Sequence, residues 1–277
     1  MRTRIKFAKY DTMRFIGHLD VMRYFQRMIR RSNLPVSYSE GYHPHQLLSF
    51  AQPLGLGITS DGEYVDTEFD EELDCDFIKE ELSKAATHGY AIMEVTRLHD
   101  RENNRRLVTS MSLINRSVYE IILKDFEEEC DYKAVYEQFL GLFKEWILQD
   151  VITVIKKSKK SEREINLKES IYEFFDYTGS RLSPVFKADF CNSVITDELA
   201  VKATVHAPEF DNDIKFIASL SAGSEMNIAP DFFMDSFLNF YNERADVKLD
   251  VTNFRIHRME LLGSDIKESV PLSCLKQ

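Results

Sequence analysis

Arg4-Ile5-Lys6-Phe7-Ala8-Lys9-Tyr10, followed by Gly17-His-Leu-Asp-Val-Met-Arg-Tyr-Phe-Gln-Arg-Met-Ile-Arg-Arg-Ser-Asn33, decides how the chain is read. The first run alternates, with Ile5 and Phe7 on one side and Arg4 and Lys6 on the other, the period of a half-buried strand. In the second, Leu19, Met22, Phe25, Met28 and Ile29 recur at helical spacing until Pro35 stops the helix. Strand-like stretches follow around 47–50 and 63–69, a helix is expected over Asp74 to Thr87, and Tyr90 to Val95 reads as a last strand. The order is βαββαβ, that of a ferredoxin-like plait.

Working outward, the polar stretch 99–106 reads as a linker, and beyond it the order is expected to repeat. Strands are expected over Ser117 to Lys124, Val151 to Ile155, Val201 to His206, Lys215 to Leu220 and Thr252 to Leu262. Helices are expected after Asp131 and from Pro230. The expectation is an α+β chain of two tandem plaits, residues 1–98 and 107–277, with antiparallel sheets and helices on one face. At 277 residues and 44% hydrophobic content the chain can bury a core in each.

The formal charge of −11 opposes a general affinity for nucleic acid or anionic membrane. It is unevenly spread: residues 1–50 hold nine Lys/Arg against three Asp/Glu, a net of +6, leaving −17 on the rest. Such asymmetry points to an anionic partner for the N-terminal part. No apolar run approaches a membrane span, nor does one follow Met1-Arg-Thr-Arg-Ile-Lys, so a cytoplasmic protein without membrane contact is expected. Cys75, Cys130, Cys191 and Cys274 are too far apart in sequence for a metal or redox motif. No metal or cofactor is expected.

Arg23, Arg27, Arg30 and Arg31 lie opposite the apolar stripe of the first helix, and the first three share a face at i, i+4, i+7 spacing. Guanidinium forks suit phosphate or carboxylate. Ser37-Tyr-Ser-Glu-Gly-Tyr-His-Pro-His-Gln46 adds Tyr38 and Tyr42, which could stack on bases, and His43 and His45, which would share one side of an extended strand. With His18 these could form a set of three imidazoles for acid–base chemistry. A second basic run, Lys156, Lys157, Lys159, Lys160 and Arg163, reads as a hairpin loop that could flank one groove with the arginine helix. Arg4 and Lys6 are expected to be neutralised by Asp66 and Glu68 on the third strand.

Arg14-Phe-Ile-Gly-His-Leu-Asp-Val-Met-Arg23, Arg30-Arg31, Leu34-Pro35, Tyr38-Ser-Glu-Gly-Tyr42, Pro44-His45, Ser49-Phe50-Ala51, Pro53-Leu54 and Gly57 closely resemble the radical SAM-linked protein family. That is an uncharacterised bacterial family encoded beside, or fused to, radical SAM proteins. The likeness is dense to about residue 70 and thins to Arg163-Glu-Ile-Asn-Leu167 and Arg255-Ile-His-Arg-Met-Glu-Leu-Leu262; the chain departs from the family pattern at Gln46, Leu47 and Asn166. The resemblance implies a radical SAM enzyme as partner and hints at RNA. The chain has no CxxxCxxC triplet to hold a cluster of its own and neither GxxxxGK[ST] nor GxGxxG. Three functions follow as expectations: a noncatalytic module that binds RNA or an RNA-associated substrate for a radical SAM enzyme; an RNA-processing or modifying enzyme using His18, His43 or His45; or a protein-binding adaptor.

Overall fold

A computed structural model of the chain describes residues 1–99, 109–124, 131–157, 162–202, 214–265 and 268–275. The first half runs β1 (Arg2–Lys9), α1 (His18–Arg31), β2 (Leu48–Phe50), β3 (Thr59–Glu68), α2 (Cys75–Ala85) and β4 (Tyr90–Arg97). The second runs α3 (Ser110–Leu113), β5 (Ile114–Leu123), α4 (Tyr132–Ile147), β6 (Thr153–Lys157), β7 (Glu162–Asn166) and β8 (Ile171–Asp176). It continues through β9 (Ser183–Lys187), α5 (Asp197–Lys202), β10 (Lys215–Ser221), α6 (Pro230–Asn242), β11 (Phe254–Asp265) and β12 (Glu268–Pro271). The fold is α+β, with a mostly antiparallel sheet.

Ten strands form one sheet in the order β4-β1-β3-β11-β5-β10-β8-β9, with β2 on β3 and β12 on β11. The two halves therefore share a sheet rather than owning one each. They join where β3 and β11 pair in parallel, Thr59 beside His257 and Ser60 beside Arg258. Gly62 permits that approach: a Cβ there would stand 2.6 Å from the Cα of Glu260.

Side-chain alternation gives the sheet two covered faces. Ile5, Phe7, Val65 and Ile92 pack under Val21, Phe25, Met28 and Ile29 of α1 and Ile78 and Leu82 of α2. Tyr119, Ile121, Phe216 and Ile256 pack under Phe139, Phe143 and Trp146 of α4 and Phe233, Phe237 and Tyr241 of α6. The intervening residues Val118, Ile217 and Met259 point the other way, against Phe175, Tyr177, Ile195 and Ala200.

Several expectations need correction. Leu19 is not in the α1 stripe but 62% exposed, because the buried stripe is Val21-Phe25-Met28 with Ile29, and Leu19 lies about 160° around from Val21 at 100° per residue. The strand expected at 151–155 is β6, which pairs with β7 in a separate two-stranded sheet. β8 takes its place beside β10 in the main sheet. Val201 and Lys202 end α5 instead of starting a strand, while 203–206 lie outside the described residues. Of the expected linker, only His99 is described, without regular structure.

Candidate functional site

Gly17 precedes α1 in an extended conformation and supplies no side-chain cap. Along the helix Arg23, Arg27, Arg30 and Arg31 are all exposed. Arg23 reaches back to Asp20 at 3.2 Å, and Arg31 donates to the Ala85 carbonyl at 2.9 Å. Arg27 and Arg30 make no ion pair or hydrogen bond among the described residues. Leu19, one turn before Arg23, shares this outer face, and Phe15 and Leu56, 60% and 67% exposed, lie close to its start. The Gly57 N–H donates to the Arg14 carbonyl at 2.9 Å and holds the Leu56 and Phe15 segments together.

The stretch 37–46 folds back on itself beside the end of β3. Tyr38 bridges Gln46, the Ser39 N–H donates to the His45 carbonyl at 2.8 Å, and the His45 N–H returns to Ser39 Oγ at 3.1 Å. Ser39 Oγ also contacts His45 Nδ1 at 2.8 Å, so this imidazole braces the loop. Gly41, at φ +113°, turns the tip, where Tyr42 and His43 are exposed and Tyr38 is half-exposed.

The three histidines do not converge. His18 opens α1 with its ring 5.5 Å from that of Phe50, in a cleft shared with Lys9, Gln52, Glu63 and Tyr64. His45 precedes Phe50 by five residues of extended chain, about 16 Å at 3.3 Å per residue. The second basic run does approach His18: Lys156 donates to the Asn227 carbonyl at 2.6 Å, and Gln52, in the His18 cleft, donates to Asn227 Oδ1 at 2.7 Å. Arg163 is exposed on β7; Lys157 is on β6, and Lys159 and Lys160 lie outside the described residues. Asn166 accepts from the Ile152 and Lys168 N–H groups, a structural lock at the base of this hairpin. A cavity of about 300 Å³ elsewhere, lined by Asn115, Tyr172, Ser221 and Glu225, takes in none of the residues singled out from sequence.

The densest chemistry is at the seam between the halves. Arg4 Nε donates to Asp66 at 2.8 Å, as its alternation with Ile5 suggested, and its other arm donates to the Leu272 and Leu275 carbonyls. Lys6 instead finds Glu260, at 2.5 Å, which also accepts from the Tyr64 hydroxyl at 2.7 Å. Arg2, not Lys6, approaches Glu68, at 3.7 Å. Arg258, 1% exposed, pairs with Glu63 and donates to the Gln52 carbonyl. Lys9 donates to the Ile16 carbonyl at 2.8 Å; burial pushes its ammonium down, partly offset by Glu63.

On the sheet face away from α4 and α6, His257 Nδ1 contacts Thr59 Oγ1 at 2.8 Å and its Nε2 is 3.5 Å from Asp61. Glu120 pairs in register with His257; it is fully buried, neither carboxyl oxygen has a hydrogen-bond partner among the described residues, and burial pushes its carboxyl up. None of Glu120, His257 or Arg258 was singled out from sequence. The available signal was a carboxylate inside the apolar run Val118-Tyr-Glu-Ile-Ile122, facing the Arg255-Ile-His-Arg258 block. No group of three or more His, Cys, Asp or Glu among the described residues is placed to hold a metal ion, and no described helix is long and apolar enough to cross a membrane.

Residues 2–209 match the family described as "Uncharacterized protein conserved in bacteria (DUF2344)". The chain belongs to DUF2344. The DUF2344 match takes in the arginine helix, the 37–46 loop and the basic hairpin, and stops short of β10, β11 and β12, of which β11 completes the seam. It brings no radical SAM association with it. No curated protein matches the chain.

Proposed function

We propose that this DUF2344 chain is a noncatalytic binding module that takes RNA, or a substrate carried on RNA, along the outer face of α1. One observation carries it: Arg23, Arg27 and Arg30 are exposed on a single helix face, and the last two have no partner among the described residues. Guanidinium groups left open to solvent on one face are available to successive phosphates. Tyr38 and Tyr42 offer exposed rings for stacking beyond the helix, while His43 and His45 shape that loop. Lys156 and Arg163 extend the cationic surface toward the His18 end. A radical SAM enzyme as recipient of the bound RNA rests on the sequence resemblance alone. Both halves are read as ferredoxin-like plaits, supported by the strand orders β4-β1-β3-β2 and β11-β5-β10-β8, with β6, β7, β9, α5 and β12 as additions.

The test is titration of single-stranded RNA across a range of salt concentrations. Wild type should bind with a steep salt dependence, and Arg23→Glu/Arg27→Glu/Arg30→Glu should lower the log–log slope by about 2, from about 0.7 per lost contact on a single strand. Salt-insensitive binding, or none, overturns the proposal. A protein-docking role is favoured by the exposure of Leu19, Phe15 and Leu56 beside the arginines. A partner retained after nuclease treatment and lost in Leu19→Asp would assign the face to protein instead.

A further inference from the structure

β5 and β8 begin, and β10 ends, at one edge of the sheet: Ser221 pairs in register with Arg116, and Leu220 with Ile171. The cavity of about 300 Å³ described above lies there, walled by these strand ends and by the turn that carries β10 into α6. Gly223 shapes that turn. Its φ is +102°, and a Cβ on it would collide with the Ile114 carbonyl, so glycine is what lets the turn close against β5. The turn is pinned at both ends, the Ala222 N–H donating to the Asn115 carbonyl at 3.0 Å and the Ile228 N–H to the Ser221 carbonyl at 2.9 Å.

The polar side chains around the cavity are held in place as well. Asn115 Nδ2 donates to Ser269 Oγ at 3.1 Å, and Ser221 Oγ lies 3.1 Å from the Tyr172 hydroxyl. The Arg116 guanidinium sits 4.2 Å from the centre of the Tyr172 ring and donates to the Asn192 carbonyl, which fixes the ring from behind. Two hydroxyls bonded to each other use one proton between them and keep the other to donate. Ser224 and Glu225 are exposed on the turn, and Leu113, Ala222 and Met226 add an apolar flank. Among the described residues that line the cavity, Glu225 is the one charged side chain.

Fixed hydroxyl and amide groups beside an apolar flank match a neutral ligand with hydroxyls at one end and a flat apolar body at the other. The volume is at the small end of ligand pockets, about 300 to 1,000 Å³, which leaves room for one such unit and not for a run of them. A carboxylate accepts two hydroxyl protons at once, and so suits a vicinal diol. We propose that this cavity binds a ribonucleoside, its 2′,3′-diol on Glu225, with Asn115, Ser221 and Tyr172 around the sugar and the base along Met226 and Leu113. A free ribonucleoside and the 3′ end of an RNA both present that diol. Asn227, next to Met226 in the turn, accepts from Gln52 at 2.7 Å and Lys156 at 2.6 Å, so an RNA end seated here adjoins the basic hairpin. The RNA source alone rests on the function proposed above.

Calorimetric titration with adenosine, guanosine, cytidine and uridine in turn tests the site. At least one should bind wild type, and its 2′-deoxy counterpart should bind about ten-fold more weakly or worse. Glu225→Gln should weaken the ribonucleoside about ten-fold and leave the deoxy form unchanged, which separates loss of the diol contact from damage to the pocket. Should Glu225→Gln fail to fold, Ser224→Trp, which fills the cavity from an exposed position, should abolish binding of both. Binding of none of the four, equal affinity for the ribo and deoxy forms, or an unchanged preference in Glu225→Gln overturns the proposal. An oligoribonucleotide ending in a 3′ diol, compared with the same strand ending in a 3′ phosphate, identifies the source. With the nucleoside bound, preference for the diol end assigns the site to RNA termini, and equal binding of the two strands assigns it to the free nucleoside; either supports the site. Nucleosides carry no phosphate, so their binding is independent of Arg23, Arg27 and Arg30, and its failure leaves the salt titration along α1 standing.

Discussion

Glu120 is held between Tyr119 and Ile121 on a strand with fully buried apolar residues on both of its faces, and neither oxygen of its carboxyl has a hydrogen-bond partner among the described residues. Burial is the largest influence on its carboxyl and raises it, with Asp61 adding to the effect and His257 and Lys215 opposing it. The unfolded chain releases this proton near pH 4.3, while the folded chain holds it to higher pH. Between those two values the folded state binds more protons, so this residue's contribution to stability falls as pH rises and then levels off. Glu120→Leu should remove that decline and raise stability at neutral pH by about 1–3 kcal/mol, measurable by urea denaturation from pH 4 to 8. A less stable leucine variant would mean that the carboxyl has a partner in solution. From sequence, Glu120 could be put opposite Tyr119 and Ile121 by alternation. What could not be read is that its face is covered, since Tyr177, Ile195 and Ala200 reach that face from 57 to 80 residues further along the chain.

The elements were legible where the period in the sequence is clean, although β1 is buried on both faces, Arg4 as well as Ile5, and not on one as its alternation implies. β1 and α1 carry clean periods of two and near 3.6, and Arg4 found Asp66 as the alternation implied. Leu19 misled because a residue near a helix start can belong to either face until the stripe beyond it is fixed. β8 was overlooked because β6, with its Thr-Val-Ile run, filled the expected slot; nothing in that run reveals that it pairs with β7 in a sheet of its own. At the candidate site the arginine face and the exposed loop were visible as patterns, whereas the separation of His18 from His45 depends on where β2 joins β3. For α1 the open N-cap invites a direct check. Gly17 has φ −73° with free space where a Cβ would go, so Gly17→Ser can add a cap and stiffen the unfolded chain. The expected gain is about 0.5–1 kcal/mol in chemical denaturation, and a loss would show that the Gly17 backbone changes conformation in solution.

Over the whole molecule, the +6 of residues 1–50 is partly spent inside, because Arg4 and Lys6 are paired at the seam and Lys9 is buried there. The outward positive charge is therefore concentrated on α1. The seam also couples the halves energetically. Arg258→Ala leaves Glu63 buried without its cation and should cost about 3–5 kcal/mol, while Arg258→Met with Glu63→Leu should recover most of it. Urea curves followed separately by probes in each half should shift together in the single variant; if only one shifts, the halves are not coupled through this pair. The joining of β3 to β11 also has a consequence for synthesis. Glu63 leaves the ribosome 195 residues before Arg258, about 10–40 s at ordinary elongation rates. For that interval the nascent first half carries an unpaired strand edge at Thr59 and Ser60 and a set of unmatched charges. A ribosome stalled before residue 254 would thus display a sticky edge that only its own later segment is shaped to cover, which makes slow translation of 214–265 a direct route to aggregation.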